Sequence, residues 1–383
     1  MVIKPIRILT SDMQLLAEID DYESLIFTRR FHNVGEFELH INRHKQHTDK
    51  LLKDNLILLG SDIHKVGIIK HRQIGIDENG KQSETWVIRG LELKGIVSQR
   101  ITLPPIHTAY DNKSGDAETV MKHYVERNVV NPDDSNRNIS MLELADNLNR
   151  GQSITWQSRF KNLSEELAAI SYTTGIGWSV HLDLEKKKWL FDVHEGRDLT
   201  VNQTENPPVI FSPDFDSLKS LQFTESEFNY RNLAYVAGQG EGVDRRVVEI
   251  GDLQDLDRIE TFIDARDVAE VDENEQPIPE SEVIQALSDR GKQKLQEFLQ
   301  EQFLEGQILT HSPFVYEKDY DLGDIVTIQN KDWGVTMDAR LTEVTEIYEV
   351  GGFQLEATFG NAQPTLITKL KQELNQIDAE IKR

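Results

Sequence analysis

An alternation of apolar and polar residues constrains this chain more than any other feature. Phe37, Leu39 and Ile41 alternate with Glu38, His40 and Asn42, the period of a strand with one face on a core and the other in water. The β signal continues on both sides. Residues 55–60, NLILLG, are an apolar run of strand length, and residues 66–76 and 84–93 flank Asp77-Glu-Asn-Gly80, where Asn-Gly between apolar runs predicts a hairpin. A small barrel or sandwich is therefore expected over residues 1–104. It ends at Pro104-Pro105, where two amide donors are lost and φ is fixed. A chain of 383 residues exceeds one ordinary core, so further domains are expected.

The pattern changes after Pro105. A helix is predicted from Ser114 as N-cap, with Val120, Tyr124 and Val125 apolar. A polar loop, NPDDSNRN, follows, and a second helix is predicted from Asn162 to about Tyr172. It sets Leu163, Leu167 and Ile170 on one face and Glu165 and Glu166 near its positive end. GIGWSVHLDLEKKKWLFDVHEG reads as a hairpin around Glu185-Lys186, which completes an α+β insertion over 105–205. From Val209 strands return, and a second, discontinuous barrel is expected from 206–240 with 306–362. Between its halves, 241–305 is predicted as an acidic strand-and-loop stretch followed by the longest helix, Ser281 to Glu305, weakened at Gly291. Gly351-Gly352 is expected to turn the last hairpin.

Two details bear on architecture. Gly35-Glu-Phe-Glu-Leu39 is echoed at Gly351-Gly-Phe-Gln-Leu355, a short match that two related β domains would leave. In 363–383, after Pro364, Ile367, Leu370, Leu374, Ile377 and Ile381 fall at alternating spacings of three and four. That is a heptad seam on a C-terminal helix, and isoleucine at both core positions favours three strands. The same stripe also suits a helix packed on its own domain.

Composition narrows the chemistry. There are 66 acidic and 42 basic residues, a formal charge of −24, and such a surface repels nucleic acid. The absence of cysteine removes thiolate nucleophiles and disulfides and suits a reducing compartment. No segment has the apolar length of a membrane helix, and the N-terminus lacks the hydrophobic block of a signal peptide. His40, His44 and His47 resemble a metal set only in spacing, with His40 on a wet strand face and the others in a loop, so no metal is expected. Gly238-Gln-Gly-Glu-Gly242 precedes a strand-like run and carries Glu241, so it reads as a turn and not a phosphate loop. Trp178 with Trp189, or Trp333 beside Asp332, could build a sugar platform but more simply pack in strands. Arg29 and Arg30 sit on opposite strand faces, so at most one is expected to face the core. No catalytic residue and no cofactor is predicted.

Four stretches carry a family resemblance: SLIFTRRFHNVGEFELHI, SGDAETVMKHYV, NLAYVAGQGEGVDRR and DYDLGDIVTIQNKDWGVTMDARLTEVTEIYEVGGFQLEATFGN. Together they resemble the siphophage tail-tip proteins, the baseplate hub or N-terminal hub region of tail-associated proteins in phages and prophages of Gram-positive bacteria. The resemblance runs from about Ile8 to about Ile367.

It implies a mainly β fold with α+β insertions and two small barrels, three copies forming a ring that matches the sixfold tail tube. Implied partners are the distal tail protein and tube ring, the tape measure protein and a downstream fibre or lysin. DNA would pass without specific binding, acidic loops such as Asp252 to Asp257 and Asp272 to Glu275 being candidates for the channel wall. The product would be a virion component made in the host cytoplasm, without a membrane anchor. Longer relatives continue into a peptidase, wall hydrolase or fibre, so a short hub and a piece of a longer protein both stay open. Two other function classes remain, a tail-associated wall hydrolase or peptidase and a carbohydrate- or receptor-binding tail protein.

Overall fold

The computed structural model describes residues 4–76, 82–108, 110–266, 268–271, 276–295, 298, 301–309 and 312–360. Among these, one compact unit comprises residues 4–103, 112–222 and 304–360, and a second comprises 104–111 and 223–303.

The first unit is built on strands β1 (Ile6–Leu9), β2 (Leu15–Ile19), β3 (Ser24–Arg30), β4 (Glu36–Asn42), β5 (Leu56–Leu59), β6 (Val66–Gln73) and β7 (Thr85–Glu92). The predicted alternation in β4 is real: Phe37, Leu39 and Ile41 are buried between partly exposed neighbours. The NLILLG run has a different cause. Ile57 and Leu59 point into a core with Ile6, Ile8, Leu25, Phe37 and Ile41, while Leu56 and Leu58 point into a second one with Val66, Ile68 and Trp178. A strand covered on both faces has no wet side and so no alternation.

The second core is closed by the insertion. Its elements are β8 (Asp111–Asp116), α1 (Ala117–Val125), β9 (Leu142–Leu144), β10 (Ser153–Ser158), α2 (Leu163–Thr174), β11 (Gly177–Asp183) and β12 (Lys188–His194). The N-cap of α1 is Asp116, which accepts from the Thr119 amide at 2.8 Å, and not the predicted Ser114, which lies in β8. Pairing of β8 with β10 holds Ser114 extended. α2 follows its local signals closely. Asn162 accepts from the Ser164 amide at 3.0 Å, and Gly175 ends the helix at φ 71°, a conformation glycine adopts without strain.

The rest of this unit comes from β13 (Asp198–Leu199), β14 (Ile210–Phe211) and part of β15 (Leu218–Ser226), and from residues 304–360. The second unit holds β16 (Leu233–Ala237), β17 (Val247–Ile250), β18 (Glu260–Asp264) and α3 (Glu280–Leu295). There α3 covers one sheet face through Val283 and Leu287, packed with Ala234, Val236 and Ile263. The expected helix to Glu305 is therefore too long. Residues Glu301–Ile308 are a strand, β19, followed by β20 (Ile325–Asn330), β21 (Val335–Glu349) and β22 (Gly352–Gly360). Sheet pairing offered by β22 overrides a weak helical preference there.

The long sheet runs in the order β15-β19-β22-β21-β3-β4-β7-β6-β5-β1-β2, with β20 paired to β21 and joined by β13 and β14. This is an open path, and no pairing among the described residues closes it into a barrel. The Asp77–Gly80 turn lies outside the described residues. The strands on either side, β6 and β7, pair antiparallel.

Gly35, just before β4, is required by space and not by φ. A Cβ there would lie 2.1 Å from the Thr28 carbonyl oxygen.

Candidate functional site

Three clusters of ionisable groups lie inside the first unit. Lys65, just before β6, has a side chain only 1% exposed and pairs with Glu317 and with Glu346 of β21. The Tyr348 hydroxyl donates to the same Glu346 carboxylate. Arg29 of β3 donates to the Tyr316 hydroxyl at 3.1 Å and stands 3.6 Å from Asp321. Burial alone would lower the Lys65 pKa, but the carboxylates of Glu346 and Glu317 hold it above the ordinary value. Burial raises Glu317, moderated by Lys65. The cluster ties residues 315–321 down onto β3, β6 and β21, and its charges are consumed in doing so.

The second cluster fixes α1. Glu118 is fully buried and accepts from Lys122 at 2.5 Å, from Arg150 Nη2 at 2.9 Å and from the Arg150 amide at 2.9 Å. Arg150 also reaches Asp192 at 2.5 Å. Burial would push the Glu118 carboxyl up, yet hydrogen bonds from Arg150 and Lys122 hold it at about 2.

The third cluster contains the groups closest to catalytic chemistry. His32 Nδ1 lies 2.7 Å from the Ser171 hydroxyl, which itself donates to the Ile176 carbonyl at 2.6 Å. With the hydroxyl proton committed, Nδ1 must be the donor, so His32 cannot act as a base toward Ser171. Burial, helped by the nearby Arg340 and Lys94 cations, lowers the His32 pKa to about 3. Lys94, 1% exposed, is lowered to about 8 by burial and by Arg29 and Arg30, against Glu92. Its ammonium donates to the Arg30 and Trp178 carbonyls and sits 4.8 Å from the Trp178 ring. These are activated groups without access: Ser171 is fully buried and His32 is 7% exposed.

The residues singled out from sequence stay apart. His40 Nε2 lies 2.5 Å from Glu38 on one strand face, while His44 and His47 are exposed in the following loop. Among the described residues no three metal-ligating side chains gather. Gly238–Gly242 forms the turn between β16 and β17. Trp178 and Trp189 are both buried, which removes them as a sugar platform, and Trp333 stands half exposed at a turn.

Arg29 and Arg30 do lie on opposite faces, but both side chains are largely covered, at 13% and 19% exposure. Arg30 binds Glu343 and Glu36. Only Arg29 shares its strand face with the core residues Leu25 and Phe27, as expected, while Arg30 is covered on the other face by its carboxylate partners. Asp252–Asp257 is exposed throughout. The seam residues Ile367, Leu370, Leu374, Ile377 and Ile381, and the Asp272–Glu275 loop, lie outside the described residues. Sequence reasoning missed the Lys65 and Arg150 networks. Only the Glu118–Lys122 spacing of four gave a local signal.

Among the described residues the buried ionisable clusters serve packing, and the fold is distinctive. It is that of phage tail proteins. The chain is similar to the 43 kDa tail protein of prophage MuSo2 from Shewanella oneidensis, at a TM-score of 0.57 and 10% identity, with 93% of this chain and 98% of that one covered. It is similar to the tail protein from Neisseria meningitidis MC58 at a TM-score of 0.53 and 13% identity, covering 93% and 96%. It is also similar to prophage tail protein gp18 from Listeria monocytogenes EGD-e, at a TM-score of 0.51 and 10% identity, covering 98% and 99%. No curated protein matches the sequence. The Siphovirus ReqiPepy6 Gp37-like protein family matches residues 5–361, and the chain belongs to that family. Among the described residues no helix is long and apolar enough to cross a membrane.

Proposed function

We propose that this chain is a structural baseplate-hub protein of a siphophage tail tip. Three copies form a ring that joins the tail tube, through the distal tail protein, to the tape measure protein and to a downstream fibre or lysin. Each copy contributes two small β-barrel modules, one from residues 1–104 and one from 206–240 with 306–362. It acts in the virion after synthesis in the host cytoplasm. DNA passes through the ring without specific binding, because a chain of −24 charge repels phosphates. The single observation that carries the reading is the family match over residues 5–361 joined to a tail-protein fold spanning nearly the full length of both chains.

The role is scaffolding and not catalysis. Its densest ionic clusters serve packing, and its Ser–His pair is closed to substrate. A serine-type hydrolase or peptidase would need that pair open to substrate. A carbohydrate-binding role loses its Trp178–Trp189 platform.

Light scattering tests the assembly: the expected mass is three times the 44.0 kDa chain, alone or on mixing with the tube ring. Electron microscopy of the phage particle, with an antibody to this chain, should place it at the distal tail end. A monomer under all these conditions, or labelling of the head, would overturn the proposal.

A further inference from the structure

The second unit exposes large apolar side chains at one end of its sheet. β17 ends at Ile250 opposite Ala234, and β18 begins at Glu260 beside Leu233. The stretch entering β16 and the connection from β17 to β18 therefore emerge together. Asn232 joins them: its amide donates to the Asp257 carbonyl at 2.7 Å, and its Oδ1 accepts from the Ile259 amide at 2.9 Å. On these two loops Phe228 is 92% exposed, Leu256 91% and Leu253 39%. A lone exposed apolar residue is ordinary, but three on two joined loops mark an interaction surface.

Charge indicates what covers them. Residues 223–229 and 251–257 hold Glu225, Glu227, Asp252, Asp255 and Asp257 and no lysine or arginine. The next basic residues are engaged. Arg258 pairs with Glu249 and Glu260, and Arg231 donates to the Tyr230 carbonyl. The other end of the sheet differs. Val243 is fully exposed there between Glu241 and Asp244, but Arg245 and Arg246 follow directly. A wall that merely repels DNA needs carboxylates and has no use for Phe228 and Leu256.

We propose that the two loops joined at Asn232 are a docking surface for a cationic amphipathic segment of another protein. Its apolar side chains cover Phe228, Leu253 and Leu256, and its lysines or arginines meet the surrounding carboxylates. A second copy meeting this surface through the same loops is a poor occupant, since it would set the same carboxylates against these ones. The inference stands on these loops and does not depend on the hub reading.

The test titrates the full chain into a fluorescein-labelled amphipathic helix of leucine and lysine, read by anisotropy at about 0.15 M salt. Phe228→Ser/Leu256→Ser, which leaves the charge intact, should weaken binding roughly tenfold, as loss of a central apolar anchor does. Asp252→Asn/Asp255→Asn/Asp257→Asn should do the same, and Glu241→Gln/Asp244→Asn, at the other end of the sheet, should leave binding within about twofold. Should the serine variant lose its fold, Leu256→Ser alone, which also leaves the charge intact, provides the same comparison at a solvent-exposed position. Equal binding by the loop variants and the parent would mean that the peptide reads overall charge, and would overturn the proposal. So would a drop in the chain's own sedimenting mass with Phe228→Ser/Leu256→Ser, because the occupant would then be a second copy.

Discussion

His32 contributes a calculable share of the acid sensitivity of the first unit. The folded state holds this ring neutral with a pKa of about 3, against 6.5 for an unburied histidine. Between those values the unfolded chain takes up a proton that the folded chain refuses, so stability falls as pH drops below 6.5 and levels off near 3. At pH 5 the loss is about 2 kcal/mol relative to neutral pH, from roughly 1.4 kcal/mol for each of the one and a half pH units crossed. His32→Asn removes the titration while keeping an N–H near the position of Nδ1, where it can still donate to Ser171.

Urea unfolding followed by tryptophan fluorescence, for which buried Trp178 is a reporter, should show the parent losing about 2 kcal/mol more than His32→Asn between pH 7 and pH 5. The comparison stays above pH 5 so that the paired carboxylates, Glu118 foremost, remain ionised in both chains. Equal losses in the two chains, or an NMR titration of His32 centred near its unburied value, would refute the argument that burial beside Arg340 and Lys94 keeps the ring neutral.

Other outcomes follow from the same packing. Lys65→Met strands the buried Glu346 carboxylate and should cost about 3–5 kcal/mol in urea unfolding, with Lys65→Met/Glu346→Leu recovering much of it. Gly90→Ala would place a Cβ 1.9 Å from the Ile68 carbonyl oxygen and 2.4 Å from the Phe37 ring, so its thermal midpoint should fall clearly, as overpacking by about 1–3 kcal/mol requires. Gly75→Ala, with no atom within 4 Å, should leave the midpoint unchanged. If the C-terminal seam joins subunits, Ile377→Asp lowers the mass seen in light scattering while circular dichroism keeps its β signal; an unchanged mass would assign the stripe to packing within one chain. Purified chain should release no soluble fragments from bacterial cell walls, and turnover abolished by changing one carboxylate would contradict the scaffold reading.

Local chemistry carried much of the secondary structure. The strand at Phe37, Leu39 and Ile41 was visible as alternation. Helix α2 was visible as Asn162, two early glutamates and an apolar stripe ending near Tyr172, and the last hairpin as Gly351-Gly352. Each depends on interactions within about a dozen residues, where periodicity and capping are readable. The resemblance in the strand-rich C-terminal stretch pointed to the family that the match over residues 5–361 supports.

Tertiary structure decided the rest. Residues 301–308 became a strand because β22 was there to pair with them, though their own sequence favoured continuing α3. β3 found β21 across most of the chain, with Leu25 opposite Tyr348, and that pairing brought Arg29, Lys65, Glu317 and Glu346 into one buried cluster. Joining such distant segments costs an entropy that grows only slowly with the length between them. Sequence separation therefore carries almost no information about which lysine meets which glutamate, whereas the sheet, by crowding both faces of β3, fixes the choice.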